Sequence, residues 1–263
     1  MSALPPIRRK HRICVICEGY EDYHYFNRLI ALNLWDASYS FTTINVKSAS
    51  NIPARFQNEY QNDRYEIILV FCDTDKEPYR EYTLIKDKIN SFLGKRKASD
   101  KLVIFANPCT MQIVLLHFGD VSLKNQGKKT NSAEIERLTG IPGYDAHEKQ
   151  IQALCGKITR ASYPDMKKRA EAINYPDTVS GSTNISAYLT WFEKSDDHWI
   201  AEIRKACAQY SITSIPTAAS SIRTALSLCL YAPRCCLRQA RVSDDNPMDC
   251  PSSVRLWRTL QRR

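Results

Sequence analysis

The 263-residue sequence contains no apolar run that approaches the roughly 20 residues needed to span a bilayer. Its first residues, MSALPPIRRKHR, lack an apolar core after their charges and so do not resemble a secretory signal. We therefore expect a cytoplasmic protein with no membrane partner. Neither the Walker A pattern nor the GxSxG pattern occurs, which argues against a P-loop ATPase and against an α/β-hydrolase.

Disulfides and zinc are not expected, although the chain has 10 cysteines. Cys14, Cys17, Cys72 and Cys109 fall in or beside apolar, strand-like segments, where a free thiol behaves as a small hydrophobic side chain. Cys14 and Cys17 form a CxxC pattern, but no second pair follows at zinc-ribbon spacing. We interpret these cysteines as reduced structural thiols.

The overall composition suits a soluble protein with a full core and an anionic partner. Hydrophobic residues make up 43% of the chain and charged residues 25%. The formal net charge is +9 and the pI is near 9.0. A basic balance of this kind favours a polyanion, and nucleic acid is the first candidate.

Strand-like and helix-like segments alternate through the first 118 residues. The predicted strands cover 12–18, 41–47, 66–72 and 101–106, and the predicted helices cover 21–34, 51–63, 79–97 and 111–118. Such alternation implies a mainly parallel sheet with right-handed crossovers and helices on its faces. We therefore predict an α/β domain over residues 1–120.

Beyond Gly119 the sequence becomes polar and helical, which predicts a helical extension over 121–210 that packs on the first domain. A basic loop is predicted at 124–130, and helices are predicted at 132–139, 146–158, 164–174 and 196–210. This region either covers an edge of the sheet or turns basic residues toward nucleic acid. The basic residues concerned are Lys157, Arg160, Lys167, Lys168 and Arg169.

The composition shifts again over 211–263, where eight arginines and three aspartates occur without clear periodicity. We predict a basic, Cys- and Arg-rich tail that is poorly ordered. Three interpretations of it are open: a flexible extension, a nucleic-acid-binding arm, or sequence foreign to the fold. No function is assigned to it.

Acidic residues end or follow two of the predicted strands. Glu18 ends the first strand, and Asp73 and Asp75 follow the most apolar one. The carboxyl ends of parallel strands share one edge of a sheet, and strand residues two apart project the same way, so we expect these carboxylates to converge. Oxygen ligands suit Mg²⁺ or Mn²⁺, which can orient a phosphodiester and stabilise charge on its oxygens. Glu18 would ligate the metal or act as a general base, whereas the alternative for the Asp pair is a solvated turn that caps the next helix.

The order strand–Glu–Gly followed by strand–Asp–x–Asp resembles the Toprim pattern of topoisomerases, bacterial primases and OLD-type nucleases. More closely, ICEGYEDYHYF at 16–26 and NPCTMQIVLLHF at 107–118 look like the RloB family, which is similar to Toprim proteins and occurs at restriction and abortive-infection loci beside an ATPase. The resemblance covers roughly 12–205. It implies a Toprim-like fold, a metal-dependent nuclease acting on DNA or RNA in antiviral defence, and Glu18, Asp73 and Asp75 as its metal-binding and catalytic acids.

Further residues in these motifs are accessory candidates, namely Gly19, Asp22, Asn107 and His117. The chain also departs from the family pattern, because Glu21-Asp22 stand where Thr-Glu is common and Thr110-Met111 stand where Phe-Glu is common. The missing carboxylate at Met111 keeps a second hypothesis open: a non-catalytic module of the same fold that binds nucleic acid or an ATPase partner encoded nearby. A third is a different phosphoryl-transfer enzyme acting on nucleotides or small phosphoesters. Each hypothesis is compatible with a homo-oligomer.

Overall fold

The computed structural model describes residues 10–75 and 77–208, which belong to the compact unit Met1–Ser211. The predicted tail at 211–263 lies outside the described residues. Within them, the strands are β1 (His11–Cys17), β2 (Tyr39–Asn45), β3 (Ile67–Asp73) and β4 (Val103–Ala106).

The four strands form one parallel sheet in the order β2-β1-β3-β4. Strands β1, β3 and β4 are nearly continuous runs of buried residues, as strands covered on both faces require. The α/β fold with a parallel sheet that the alternating segments predicted is therefore confirmed.

Helices connect and cover these strands, and the helical region that was predicted after the sheet is present. They are α1 (Tyr20–Ala31), α2 (Ile52–Gln61), α3 (Arg80–Leu93), α4 (Ser99–Leu102), α5 (Met111–Leu115), α6 (Lys128–Thr139), α7 (Glu148–Gly156), α8 (Tyr163–Ala172), α9 (Ile185–Phe192) and α10 (His198–Cys207). Across 10–75 and 77–208, no helix is both long and apolar enough to cross a membrane.

The chain builds the sheet outward from β1 in one direction and then from β3 in the opposite direction. The first crossover leads from β1 outward to β2, and the second returns past β1 to β3. Right-handed crossovers place α1 on one face of the sheet, and α2 and α3 on the other. The neighbouring carboxyl ends of β1 and β3 thus form a topological switch point, the place where open α/β sheets leave a crevice for ligands.

Several helices are shorter than predicted, for local reasons. The helix predicted over 79–97 ends at Leu93, because Gly94 adopts a left-handed conformation with φ 64°. Lys101 and Leu102, which were predicted to begin the fourth strand, end the short helix α4. The helix predicted over 111–118 ends at Leu115.

Helix α9 is absent from the helices that the sequence predicts, yet it and the two residues before it cover the free edge of β4. Asn184 Oδ1 accepts a hydrogen bond from the Phe105 N–H, and Asn184 Nδ2 donates to the Val103 carbonyl, both at 2.9 Å. The Thr183 hydroxyl donates to the Phe105 carbonyl at 2.7 Å. These side chains satisfy backbone groups that an edge strand would otherwise expose.

Two of the basic residues considered for nucleic-acid contact instead hold the helical region in place. Arg160 Nε donates to the Leu32 carbonyl at 2.6 Å, and Arg169 Nη1 donates to the Leu116 carbonyl at 2.8 Å. Both arginines therefore contribute to packing, which favours the edge-covering interpretation of this region.

His117 lies beyond the end of α5 and is buried, with 5% of its surface exposed. Burial lowers the pKa of its imidazole to about 3, so the ring is neutral and has one donor and one acceptor nitrogen. The Ser162 hydroxyl donates to the Thr159 carbonyl and so accepts from His117 Nδ1 at 3.0 Å. His117 Nε2 then accepts from the Tyr25 hydroxyl at 3.2 Å.

We expect His117→Ala to lower the free energy of unfolding by at least about 1–3 kcal/mol, because it leaves the buried Tyr25 hydroxyl without its acceptor. Urea denaturation followed by circular dichroism measures the loss. The matched control is His147→Ala, since the His147 side chain is 77% exposed and its removal should change stability little. Equal stabilities of the two variants would contradict the core role of His117.

Candidate functional site

Glu18 and Asp73 meet at the switch point between β1 and β3. Glu18 directly follows β1, and its N–H donates to the Phe71 carbonyl at 3.2 Å. Asp73 is the last residue of β3, and its own N–H donates to Glu18 Oε2, also at 3.2 Å. The two acids that the sequence placed at separate strand ends are therefore brought into direct contact.

Asp75 reaches the same place by a different route from the one expected. Strand β3 ends at Asp73, so the alternation of side chains along a strand does not extend to Asp75. Asp75 has a left-handed backbone with φ 60°, and its N–H donates to the Pro108 carbonyl at 3.1 Å. Asp75 nevertheless lines one open hollow together with Glu18 and Asp73.

This hollow, which we call the acidic hollow, has a volume of about 320 Å³. Its charged lining consists of Glu18, Glu21, Asp22, Asp73, Asp75 and Lys128. The first turn of α1 supplies Glu21 and Asp22, and the start of α6 supplies Lys128. Residues from the sheet edge and from the helical region therefore form one site.

Thr110 connects two of the acids and was not among the predicted site residues. Its hydroxyl contacts Asp22 Oδ1 and lies 2.9 Å from Asp73 Oδ1, and its N–H donates to the same Asp73 oxygen at 2.7 Å. A hydroxyl carries one proton and can donate to one carboxylate at a time. The hydroxyl therefore donates to one of these two carboxylates, and the Thr110 N–H donates to Asp73 in either case.

Burial and mutual repulsion raise the pKa values of these acids. Burial raises the pKa of Glu18 to about 8, and the charges of Asp22 and Asp75 add to the rise. Burial raises the pKa of Asp22 to about 7, although Thr110 and Gly19 donate hydrogen bonds to it. Burial and the neighbouring Asp22 and Glu18 also raise the pKa of Asp73 well above its usual value. A bound cation would relieve the repulsion and lower these pKa values.

Lys128 supplies a positive charge inside the acidic hollow. Its ammonium pairs with Glu21 Oε2, and the Tyr144 hydroxyl donates to Glu21 Oε1 at 2.7 Å. Burial opposes the charge on Lys128, but Glu21 outweighs burial and the pKa of Lys128 rises above its usual value. The sequence had assigned Lys128 to a loop, whereas the structure places it in the first turn of α6.

The four accessory candidates lie in different places. Gly19 precedes α1 and lines the acidic hollow, and a Cβ added to it would meet nothing within 4 Å. Asp22 also lines the hollow and accepts from the Gly19 N–H at 3.0 Å. Asn107 Nδ2 donates to the Asp177 carbonyl at 2.7 Å, and neither Asn107 nor the core residue His117 lines the hollow.

Met111 stands where the resemblance would place a carboxylate. It is the first residue of α5, directly after Thr110, and it is 2% exposed. At this position the chain therefore presents an apolar side chain, and the adjacent polar contact with the acids comes from the hydroxyl and N–H of Thr110.

The carboxylates of the acidic hollow offer the oxygen donors that a hard divalent cation prefers, but they do not form a complete cage. Over residues 10–75 and 77–208, no group of three His, Cys, Asp or Glu side chains is arranged so that it could hold a metal ion. Mg²⁺ rarely needs such a cage, since it keeps several waters and is usually bound by one or two carboxylates plus substrate phosphate oxygens. Glu18 and Asp73 are joined through the Asp73 backbone N–H and line the hollow with Asp75, so one or two of these carboxylates would serve that mode of binding.

Comparison with protein-family models, with curated proteins and with solved structures found no match to the chain. Function is therefore inferred from the geometry and charge of the acidic hollow, together with the short motifs at 16–26 and 107–118.

In the presence of a chelator, we expect thermal stability to fall as the pH rises from about 6.5 to 8. Unfolded Asp and Glu are ionised throughout this range. In the folded protein, Glu18 and Asp22 have pKa values of about 8 and about 7 and still bind protons. Because the folded state binds more protons than the unfolded state, stability decreases with pH, by at most about 1.4 kcal/mol per pH unit for each proton.

The range begins at pH 6.5 because His117, with its lowered pKa of about 3, contributes the opposite slope below that value. Thermal unfolding monitored by circular dichroism measures the effect. Asp22→Asn should flatten the slope, and the same change at exposed Asp165 should leave it unaltered. An unaltered slope in Asp22→Asn would contradict the protonation of the buried acids.

Proposed function

We propose that this chain is a metal-dependent nuclease that hydrolyses a phosphodiester bond in DNA or RNA. The observation that carries the proposal is the contact of Glu18 with Asp73 at the β1–β3 switch point, with Asp75 lining the same hollow. Ligands of open α/β sheets bind in this crevice. A cluster of oxygen-only donors suits phosphoryl chemistry with Mg²⁺ or Mn²⁺.

Each charged side chain has a role on this proposal. One or two carboxylates from Glu18, Asp73 and Asp75 would hold the ion together with water and phosphate oxygens, and the bound ion would polarise a phosphoryl oxygen and stabilise charge on the leaving oxygen. Asp22 would stay outside the ligand set, because Thr110 and the Gly19 N–H already occupy its oxygens. Lys128 remains cationic and would attract the phosphate into the hollow.

The biological setting is proposed from the motifs that resemble the RloB family. On that basis the chain acts in antiviral defence, together with an ATPase encoded nearby. The described cysteines are free and buried, which agrees with a reducing compartment such as the cytoplasm.

A second candidate is a non-catalytic module of the same fold that binds nucleic acid or a partner. Two observations favour it: apolar Met111 replaces an acid of the family pattern, and Thr110 ties Asp22 and Asp73 together by hydrogen bonds. Metal-dependent turnover separates the two candidates.

We expect Asp73→Asn to reduce metal-dependent cleavage by about 100-fold or more, because the change removes a ligand charge while keeping the shape of the side chain. Purified protein is incubated with plasmid DNA, single-stranded DNA and tRNA, in Mg²⁺, Mn²⁺ or chelator. The matched control is Asp165→Asn, which alters an exposed acid outside the acidic hollow and should cleave like the wild type.

Calorimetry with Mn²⁺ gives a readout that does not depend on turnover. Asp73→Asn should lose Mn²⁺ affinity, and undiminished affinity would contradict the metal site. If the wild type binds Mn²⁺ but cuts none of the three nucleic acids, alone or with the ATPase partner, the binding-module candidate is favoured.

A further inference from the structure

Tyr20 is an exposed aromatic residue at the rim of the acidic hollow. It is the first residue of α1 and lies two positions after Glu18. Its surface is 44% exposed, and it lines the hollow together with the acids. The proposed metal-binding chemistry does not require a phenol ring at this position.

The Tyr20 ring is held by its neighbours on α1. It stacks on His24, with ring centroids 6.2 Å apart and planes inclined by 17°. His24 meets the edge of Tyr23 at 5.4 Å, and His24 Nε2 lies 3.3 Å from Glu148 Oε1 of α7. His24 thus contacts Tyr20, Tyr23 and Glu148, and it covers one face of the Tyr20 ring beside the hollow.

An exposed aromatic ring beside a phosphodiester site is suited to stacking on a nucleobase. Resting on the proposed function, we propose that Tyr20 stacks on an unpaired base adjacent to the phosphodiester held in the acidic hollow, which makes single-stranded nucleic acid the substrate class. Local positive charge supports this ligand, since Lys128 lines the hollow and exposed Lys129 follows it at the start of α6.

A base inside a duplex cannot make this contact. Its two faces are covered by neighbouring bases, and only its edges reach the grooves. The volume of the hollow, about 320 Å³, lies near the lower end of the range of about 300–1,000 Å³ for small-ligand sites. Such a hollow suits one nucleotide with its base turned out of a stack.

The test measures binding of fluorescently labelled oligonucleotides by anisotropy, with Ca²⁺ as a hard divalent cation that takes the same oxygen ligands. One sequence is used as single-stranded DNA, as single-stranded RNA and as a DNA duplex. The comparison therefore also shows whether single-stranded DNA or single-stranded RNA binds more tightly. We expect Tyr20→Ala to weaken single-strand binding about 5- to 150-fold and to leave duplex binding unchanged. Tyr20→Phe should retain single-strand affinity, because stacking needs the ring and not the hydroxyl.

A control separates stacking from general surface effects. Tyr175→Ala removes a 55% exposed tyrosine that does not line the acidic hollow, and it should bind like the wild type. An abasic nucleotide is also moved along the single strand. At one position it should weaken binding by the wild type and have no effect on Tyr20→Ala, a coupling that a merely structural tyrosine would not produce.

Three outcomes would overturn the inference: no preference of the wild type for single strands, unchanged single-strand affinity in Tyr20→Ala, or an equal loss in Tyr20→Phe. Cleavage of the same oligonucleotides with Mg²⁺ or Mn²⁺ tests the proposed function separately. Cleavage that is indifferent to Tyr20 rejects the stacking role and keeps the nuclease. Ring-dependent binding of single strands without cleavage, whether the protein is assayed alone or with the ATPase partner, keeps the ligand class and rejects the nuclease.

Discussion

Repulsion between the buried carboxylate of Asp22 and the half-buried carboxylates of Glu18 and Asp73 is the constraint on which the rest of this structure depends. Glu18, Asp22 and Asp73 lie close enough, and deep enough, that the pKa of each is raised. Such a cluster destabilises a fold unless protons, hydrogen-bond donors or cations compensate for it. Thr110 and backbone N–H groups supply the donors, and Lys128 supplies a charge. Local conflict of this kind is expected at functional sites and not in ordinary cores.

The sheet was predictable because its signal is local. Strands covered on both faces must be short, continuous apolar runs, and the runs ending at Cys17 and Asp73 are of this kind. Alternation with amphipathic helices then leaves few topologies. Helix α9 was not predicted because its position depends on contacts between residues that are distant in the sequence. Thr183 and Asn184, which directly precede the helix, form hydrogen bonds with β4 residues 78 to 81 positions earlier. Helix ends were also misjudged, since a left-handed cap such as Gly94 shortens a helix that periodicity alone would extend.

The acids of the candidate site could be found in the sequence, whereas their partners could not. Glu18 and Asp73 stand at the ends of predictable strands, so topology alone brings them together. Lys128 faces Glu21 across 107 residues, and Thr110 reaches Asp22 across 88. Hydrophobic periodicity gives no information about contacts between residues so far apart in the sequence. The sequence offered one indication of a role for Thr110, which is its polar side chain directly after the asparagine-proline-cysteine motif. That its hydroxyl contacts Asp22 and Asp73 could be seen only in the structure.

Thr110 and Met111 together change the charge that the site must balance. A glutamate in place of Met111 would bring one more buried carboxylate next to Thr110, where burial already raises the pKa values of Asp22 and Asp73. With an apolar Met111 the negative charge of the hollow is smaller, and Glu21 is matched by Lys128. The other acids that line the hollow are Glu18, Asp22, Asp73 and Asp75. On the function proposed above, such a balance suits one divalent cation that shares its coordination with phosphate oxygens and water, because an apolar residue at position 111 leaves fewer carboxylate charges for that cation to balance.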